Sequence, residues 1–141
     1  MASEPRILVD ANLVLDVLAK REPHYTVSAA VWVLVEQGRV KGLLAAHTIT
    51  TLHYLLSKHL GQPQATLNLT KLLKVFDVAA VDREVILQAM SLGWKDFEDA
   101  VQMAAAFNAQ AQYLITRNPK DFEDKLVRVL QPGDLLALFS T

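Results

Sequence analysis

Four aspartates stand where apolar, strand-like runs give way to helices or turns: Asp10, Asp96, Asp99 and Asp121. Asp10 closes "RILVD" and, with Asn12, interrupts the apolar stretch "RILVDANLVLDVLAKRE" (6–22). A carboxylate there is costly to bury unless it is paired, hydrogen-bonded or bound to a cation. Asp96 and Asp99 open "DFEDAVQMAAAFNAQAQ" (96–112). Their i, i+3 spacing puts both on one face of a helix, while Glu98 is turned by about 100° from Asp99 and falls outside the set. Asp121 ends "YLITRNPKD" (113–121), with Thr116 and Asn118 just before it. Grouped carboxylates repel one another, and a helix N-terminus offsets only part of that repulsion. A hard divalent cation between them offsets the rest, and Mg²⁺ and Mn²⁺ prefer such oxygen ligands. The chain has no cysteine, which excludes disulfides, thiolate sites and cysteine nucleophiles. The histidines share no zinc-type spacing with the acids.

Each feature also has a purely structural reading. Asp10 or Asn12 alone could cap a helix. "DFED" resembles a capping box with Asp96 as cap and Asp99 near the third position. "RNPKDF" reads as a turn signalled by Asn118-Pro119. Asp16, Glu36, Asp77, Asp124 and Asp134 are expected on solvated faces or at caps, and His47, His53 and His59 at the surface or at helix ends. Trp32, Tyr54 and Phe107 fall on apolar stripes and are expected in the core. Trp94 sits in a loop beside the acids, where packing and substrate stacking are equally open.

The elements that must position these residues alternate along the chain. Strands are expected at 6–10, 39–46, 77–81 and 113–116, with one more in the segment 126–140, which ends in a short helix. Helices are expected at 12–20, 25–38, 47–61, 63–76, 83–93 and 96–112, with glycines closing several of them. Strands separated by helices imply a parallel sheet covered on both faces, a three-layer α/β/α fold of four to five strands. In such sheets ligands gather at the carboxyl ends of the strands, where Asp10 and the Thr116–Asp121 segment fall. At 141 residues, 52% apolar and 21% charged, the chain reads as a single domain over 1–141. The net charge of −1 excludes nucleic-acid binding through an overall basic footprint, though not a nuclease whose acidic site is neutralised by cations. Without a signal-peptide core or a membrane-length apolar run, the reading is a soluble, cytoplasmic protein with no membrane partner.

The segments "ILVDANLVLDVLAKREPH" and "DFEDAVQMAAAFNAQAQYLITRNPKDF" together resemble the PIN-domain family, and within it the "DFED" subgroup. The resemblance runs nearly from end to end, and the second segment is the more specific. It implies a PIN-like fold and a Mg²⁺- or Mn²⁺-dependent endoribonuclease, possibly in the manner of the VapC-like toxins of type II toxin–antitoxin pairs. It implies that Asp10, Asp99 and Asp121 hold metal, that Asn12 supports Asp10, and that Asp96 orients water or acts as base. Thr116 and Asn118 would fix the geometry around the ligands or the scissile phosphate. Lys95, Arg117 and Lys120 flank the acids as candidate contacts to the RNA backbone, with ordinary solvated charge as the alternative. RNA, an antitoxin protein and a second copy of the chain are the implied partners. The helices 25–38 and 47–61 carry enough apolar residues for an antitoxin groove, a dimer surface or a thick core.

Two departures from the family pattern stand out. Thr51 falls where a glutamate is usual, in the helix after the second strand, and Asn118 stands where many relatives have aspartate. A site short of anionic ligands holds a second cation weakly, so a PIN-fold protein that only binds RNA or a partner is the rival reading. A haloacid-dehalogenase-type phosphotransferase would need Asp-x-Asp-Gly-Thr where this chain has Asp10-Ala11-Asn12-Leu13-Val14. A response-regulator receiver would need an adjacent acidic pair after the first strand, and there is none.

Overall fold

In β1 (Arg6–Val9) successive side chains point to opposite faces of a sheet, yet Ile7, Leu8 and Val9 are all buried. A strand with no solvent-facing side needs helices above and below it. A computed structural model describes residues 4–123 and 126–140 and shows that arrangement. Asp124, expected at a solvated face or cap, lies outside the described residues.

After β1 come α1 (Ala11–Leu18), α2 (Tyr25–Glu36), β2 (Lys41–Ala45), α3 (Ala46–Leu60), α4 (Gln62–Val75) and β3 (Asp77–Ala79). The second half holds α5 (Arg83–Leu92), α6 (Phe97–Asn108), β4 (Tyr113–Ile115), a 3₁₀ turn (Pro119–Asp121), β5 (Arg128–Leu130) and α7 (Pro132–Phe139). The strands form one parallel sheet in the order β3-β2-β1-β4-β5. The fold is the expected three-layer α/β/α, with five strands in the sheet.

The pleat divides the core in two. Ile7, Val9, Leu44, Ile115 and Leu130 meet residues of α1, α2, α3, α4 and α7 on one face. Leu8, Leu43, Ala45, Leu114 and Val129 meet α5 and α6 on the other, where the alanines of α6 let the helix sit close to the sheet. Gly42 in β2 is required by a close approach of the first layer. A Cβ there would come within 2.7 Å of the Phe76 ring and 2.9 Å of Val35 Cγ1.

Three expectations are corrected here. The helix expected over 96–112 stops at Asn108, because Ala109 ends it and Gln110 turns to a left-handed φ of 62°. Tyr54 and Phe107, expected in the core, are 62% and 46% exposed, since the apolar stripe of each helix is wider than the face it buries. Asp16, expected on a solvated face, is fully buried. It accepts hydrogen bonds from Ser28 Oγ at 2.9 Å, Arg21 Nε at 3.1 Å and Arg117 Nε at 2.9 Å. Two guanidinium groups and a hydroxyl thus replace the water that a buried carboxylate loses. The cluster joins α1, α2 and the segment that follows β4. Among the described residues, no helix is long and apolar enough to cross a membrane.

The sheet order reverses between β1 and β4. Strands on one side of that line run 1-2-3, and those on the other run 4-5, so the connections leave in opposite directions and open a crevice at the carboxyl ends. The Asp10 N–H donates to Ile115 O at 2.9 Å, which holds the two strand exits side by side.

Candidate active site

Asp10 is both a cap and a member of a carboxylate group. As N-cap of α1, its Oδ1 accepts from the Asn12 N–H at 3.4 Å. Its Oδ2 accepts from Thr116 Oγ1 at 2.9 Å. Burial raises its pKa above the usual carboxylate range; the bonds from Thr116 and Asn12 oppose the shift, and the Glu98 charge adds to it. Thr116 is itself fully buried and accepts from the Asn118 N–H at 3.1 Å, so one hydroxyl links Asp10 to the loop after β4. That loop turns on Pro119, where the Asp121 N–H donates to Asn118 O at 3.0 Å, and leaves the Asp121 carboxylate exposed.

The Asp96 side chain caps α6, its Oδ1 accepting from the Asp99 N–H at 3.1 Å. No bond from Asp99 back to the Asp96 N–H completes a capping box among the described residues. The Asp99 carboxyl is pushed up to about 7, by burial first and then by the charges of Asp96, Glu98, Asp10 and Asp121. Five acids from three separate parts of the chain therefore act on one another. The ligand oxygens of Asp96, Glu98 and Asp99 lie within 4.8 Å of one another.

The acids border a cleft of about 840 Å³ lined by Trp94, Lys95, Phe97, Lys120 and the carboxylates of Asp96, Asp99 and Asp121. Lys95 and Lys120 are exposed and make no ion pair among the described residues. Trp94 packs edge-on against Phe122, with ring centroids 6.0 Å apart, while also lining the cleft. Arg117 is placed elsewhere. Its guanidinium donates to both Asp16 oxygens, at 2.9 and 3.3 Å, away from the acids of the cleft. The Asn12 side chain is likewise engaged away from Asp10, its Oδ1 accepting from Arg21 Nη2 at 3.3 Å. Thr51 is exposed on α3.

Sequence reasoning missed three residues of this group. Glu98 was set aside on its helical angle, but its longer side chain bends back to His47 Nε2 at 2.9 Å. Gln102 is 1% exposed, and its Nε2 donates to Glu98 Oε1 at 3.4 Å. The signal for Gln102 was present: it is the one polar residue in the helical run "AVQMAAA" (100–106), one turn beyond the acids. His47, at the start of α3, had no such signal.

The donor set suits a hard divalent cation. It is all oxygen, it is more anionic than its burial favours, and the buried Gln102 Oε1 has no partner among the described residues. The side chains of Asp10, Asp96, Glu98, Asp99 and Asp121 are the ones that could hold it.

The family model of the PIN domain matches residues 6–120. The chain belongs to the PIN-domain family. Solved PIN-like structures align over most of its length. VapBC-1 from nontypeable Haemophilus influenzae has a TM-score of 0.71 at 15% identity, over 91% of this chain and 98% of that one. VapBC2 from Rickettsia felis, bound to a DNA fragment from their promoter, has a TM-score of 0.68 at 15% identity, over 89% and 98% of the two chains. VapC20 from Mycobacterium tuberculosis, described as a sarcin-ricin-loop-cleaving toxin, has a TM-score of 0.62 at 16% identity, over 85% and 92%. At these identities the likeness is one of fold. Comparison with curated protein sequences finds no significant match.

Proposed function

We propose that this PIN domain, spanning 1–141 and carrying the "DFED" variant of the family's acidic helix, is a divalent-cation-dependent endoribonuclease of the cytoplasm. The observation that carries the reading is the convergence of Asp10, Asp96, Asp99 and Asp121 on the sheet's switch point, with the Asp99 pKa raised to about 7 by burial and by its acidic neighbours. In the absence of a cation such mutual repulsion only destabilises the fold; a bound cation reverses its sign.

Asp10, Asp99 and Asp121 are assigned to hold Mg²⁺ or Mn²⁺. When bound, the cation acts as a Lewis acid, lowering the pKa of a water molecule and neutralising charge on the phosphoryl oxygens. Thr116, through its bond to Asp10 Oδ2, keeps that carboxylate in one rotamer. Asp96, exposed beside Asp99, orients the attacking water or takes its proton. Asn118 is assigned to the scissile phosphate, and Lys95 and Lys120, which line the cleft, are assigned to flanking phosphates. Water attacks phosphorus, the P–O bond to the leaving ribose oxygen breaks, and that oxygen takes up a proton.

VapBC and toxin–antitoxin complexes among the structural neighbours support an antitoxin as a protein partner, and a second copy of the chain is a further candidate. Exposed Val33 on α2 and Tyr54 and Leu60 on α3 are available for such a surface.

The test is cleavage of a mixed RNA panel in Mg²⁺, Mn²⁺ or EDTA. Cleavage dependent on added cation is expected. A folded protein that neither cuts RNA nor binds Mn²⁺ would instead establish the partner-binding reading, which Thr51 and Asn118 favour.

Cation binding is also expected to displace protons. Asp99 is protonated below about 7, so its proton must leave before the carboxylate can bind a cation. Mn²⁺ affinity should therefore rise with pH through neutrality. Calorimetry in buffers of different ionisation enthalpy should show about one proton or more released at pH 6 and close to none at pH 8.5. Equal release at both would mean that Asp99 is not a ligand.

A further inference from the structure

We propose that Glu98 is a further carboxylate of the site, and that His47 and Gln102 are the positioning residues that hold it there. The inference rests on the divalent-cation reading above.

A glutamate in the first turn of a helix needs no special explanation by itself, because the helix dipole favours an acid there. Such a side chain, about half exposed, ordinarily samples several rotamers in water. Glu98 is held at both oxygens instead: Oε2 by His47 Nε2 at 2.9 Å and Oε1 by Gln102 Nε2 at 3.4 Å. The dipole explains neither partner. His47 reaches it from the first turn of α3, 51 residues away in sequence, and its Nδ1 is buried without a partner among the described residues. Gln102 occupies a position in α6 whose neighbours, Val101, Met103 and Ala104, are all buried apolar residues. A buried amide with its Oε1 unmatched is expensive, and an apolar residue of similar size would pack there without that cost. The Gln102 amide also hydrogen-bonds Asp10, lowering its pKa, so one buried side chain ties Glu98 to the first acid of the site.

The aim is inward. A Glu98 oxygen lies within 4.8 Å of ligand oxygens of both Asp96 and Asp99. Its charge also reaches Asp10 and Asp99, raising the pKa of each. Thr51 lies one helical turn beyond His47, on the same face of α3. Helix α3 thus contributes a grip on an acid that starts from α6.

The test compares wild type, Glu98→Gln and His47→Ala by Mn²⁺ titration calorimetry and by melting curves with and without Mn²⁺. Glu98→Gln keeps the shape and the Gln102 contact while removing the charge. It is expected to weaken Mn²⁺ binding by about 10- to 100-fold, the range typical of groups that tune a metal site. Its metal-free melting temperature should equal or exceed that of wild type, since a like charge has gone. His47→Ala should weaken Mn²⁺ binding by less, and a double variant should be no weaker than Glu98→Gln alone, because both act through one carboxylate. Wild-type Mn²⁺ affinity in folded Glu98→Gln overturns the inference and leaves the nuclease reading standing. Wild type that binds no Mn²⁺ overturns both.

Discussion

Asp16→Ala is expected to lower the unfolding free energy by about 3 kcal/mol, the lower end of the range for breaking a buried ion pair. The carboxylate is fully buried between Arg21 and Arg117, and removing it leaves two guanidinium groups without their anion. Arg21 is 40% exposed and can turn to water, which trims the loss. Arg117, at 20%, has less freedom, and Ser28 Oγ loses its acceptor. Urea denaturation is the measurement, and the midpoint should fall by about 1–2 M. The effect should extend to the site, because Arg117 directly follows Thr116 and Arg21 bonds Asn12 O and Oδ1. A loss below about 1 kcal/mol would show that the cluster is solvated and that Asp16 does not anchor these segments.

That cluster also shows where the sequence stops being legible. Strand and helix identities were readable because each is set by a short-range pattern: aliphatic runs for β1 and β4, i, i+3, i+4 stripes for the helices, and Gly93 or Pro63 at their ends. A parallel sheet covered on both faces followed from strand–helix alternation, but the strand order β3-β2-β1-β4-β5 did not, because it depends on contacts between distant segments. Asp16 was not readable, because its partners lie 5 and 101 residues away and only the fold brings them together. A lone acid on a helix looks the same in sequence whether it meets water or two arginines. The pairing of Arg117 was unreadable for the same reason, its partner Asp16 being 101 residues away in sequence.

The candidate site divides along the same line. Asp10, Asp96 and Asp99 could be grouped because each combines a capping position with a strand end or a helical repeat. Glu98 was lost by treating helical angle as side-chain position. An angle of about 100° separates adjacent residues at the backbone, but a glutamate is long enough to close that gap. His47 meets Glu98 only across the fold, 51 residues away, so no local pattern could identify it, whereas Gln102 was marked as the one polar residue in an apolar helical run.

Asp99→Asn is expected to abolish cleavage and yet raise the stability of the metal-free protein. Asparagine mimics the neutral carboxyl, which is the form the folded site prefers. The sign follows from linkage. The Asp99 pKa is 3.8 when unperturbed and about 7 in the fold, so between those values the folded state binds a proton that the unfolded state has released. Wild-type stability from this group is therefore full below about pH 4, declines as pH rises, and is lost above about 7. The variant has no such titration. Its advantage in melting temperature should be absent near pH 4, open up toward neutrality and level off by pH 8, at a few degrees once solvent screening of a partly exposed group is allowed for. Added Mn²⁺ should close or reverse the gap by stabilising wild type alone. Cleavage should fall by more than about 100-fold, because even residues that merely support metal ligands are worth 10- to 100-fold. Variant and wild type must be purified identically, so that shared residual cutting identifies a contaminant. A variant that is less stable than wild type at pH 8 without metal would overturn the repulsion argument. One that still cuts RNA in a cation-dependent way would remove Asp99 from the machinery.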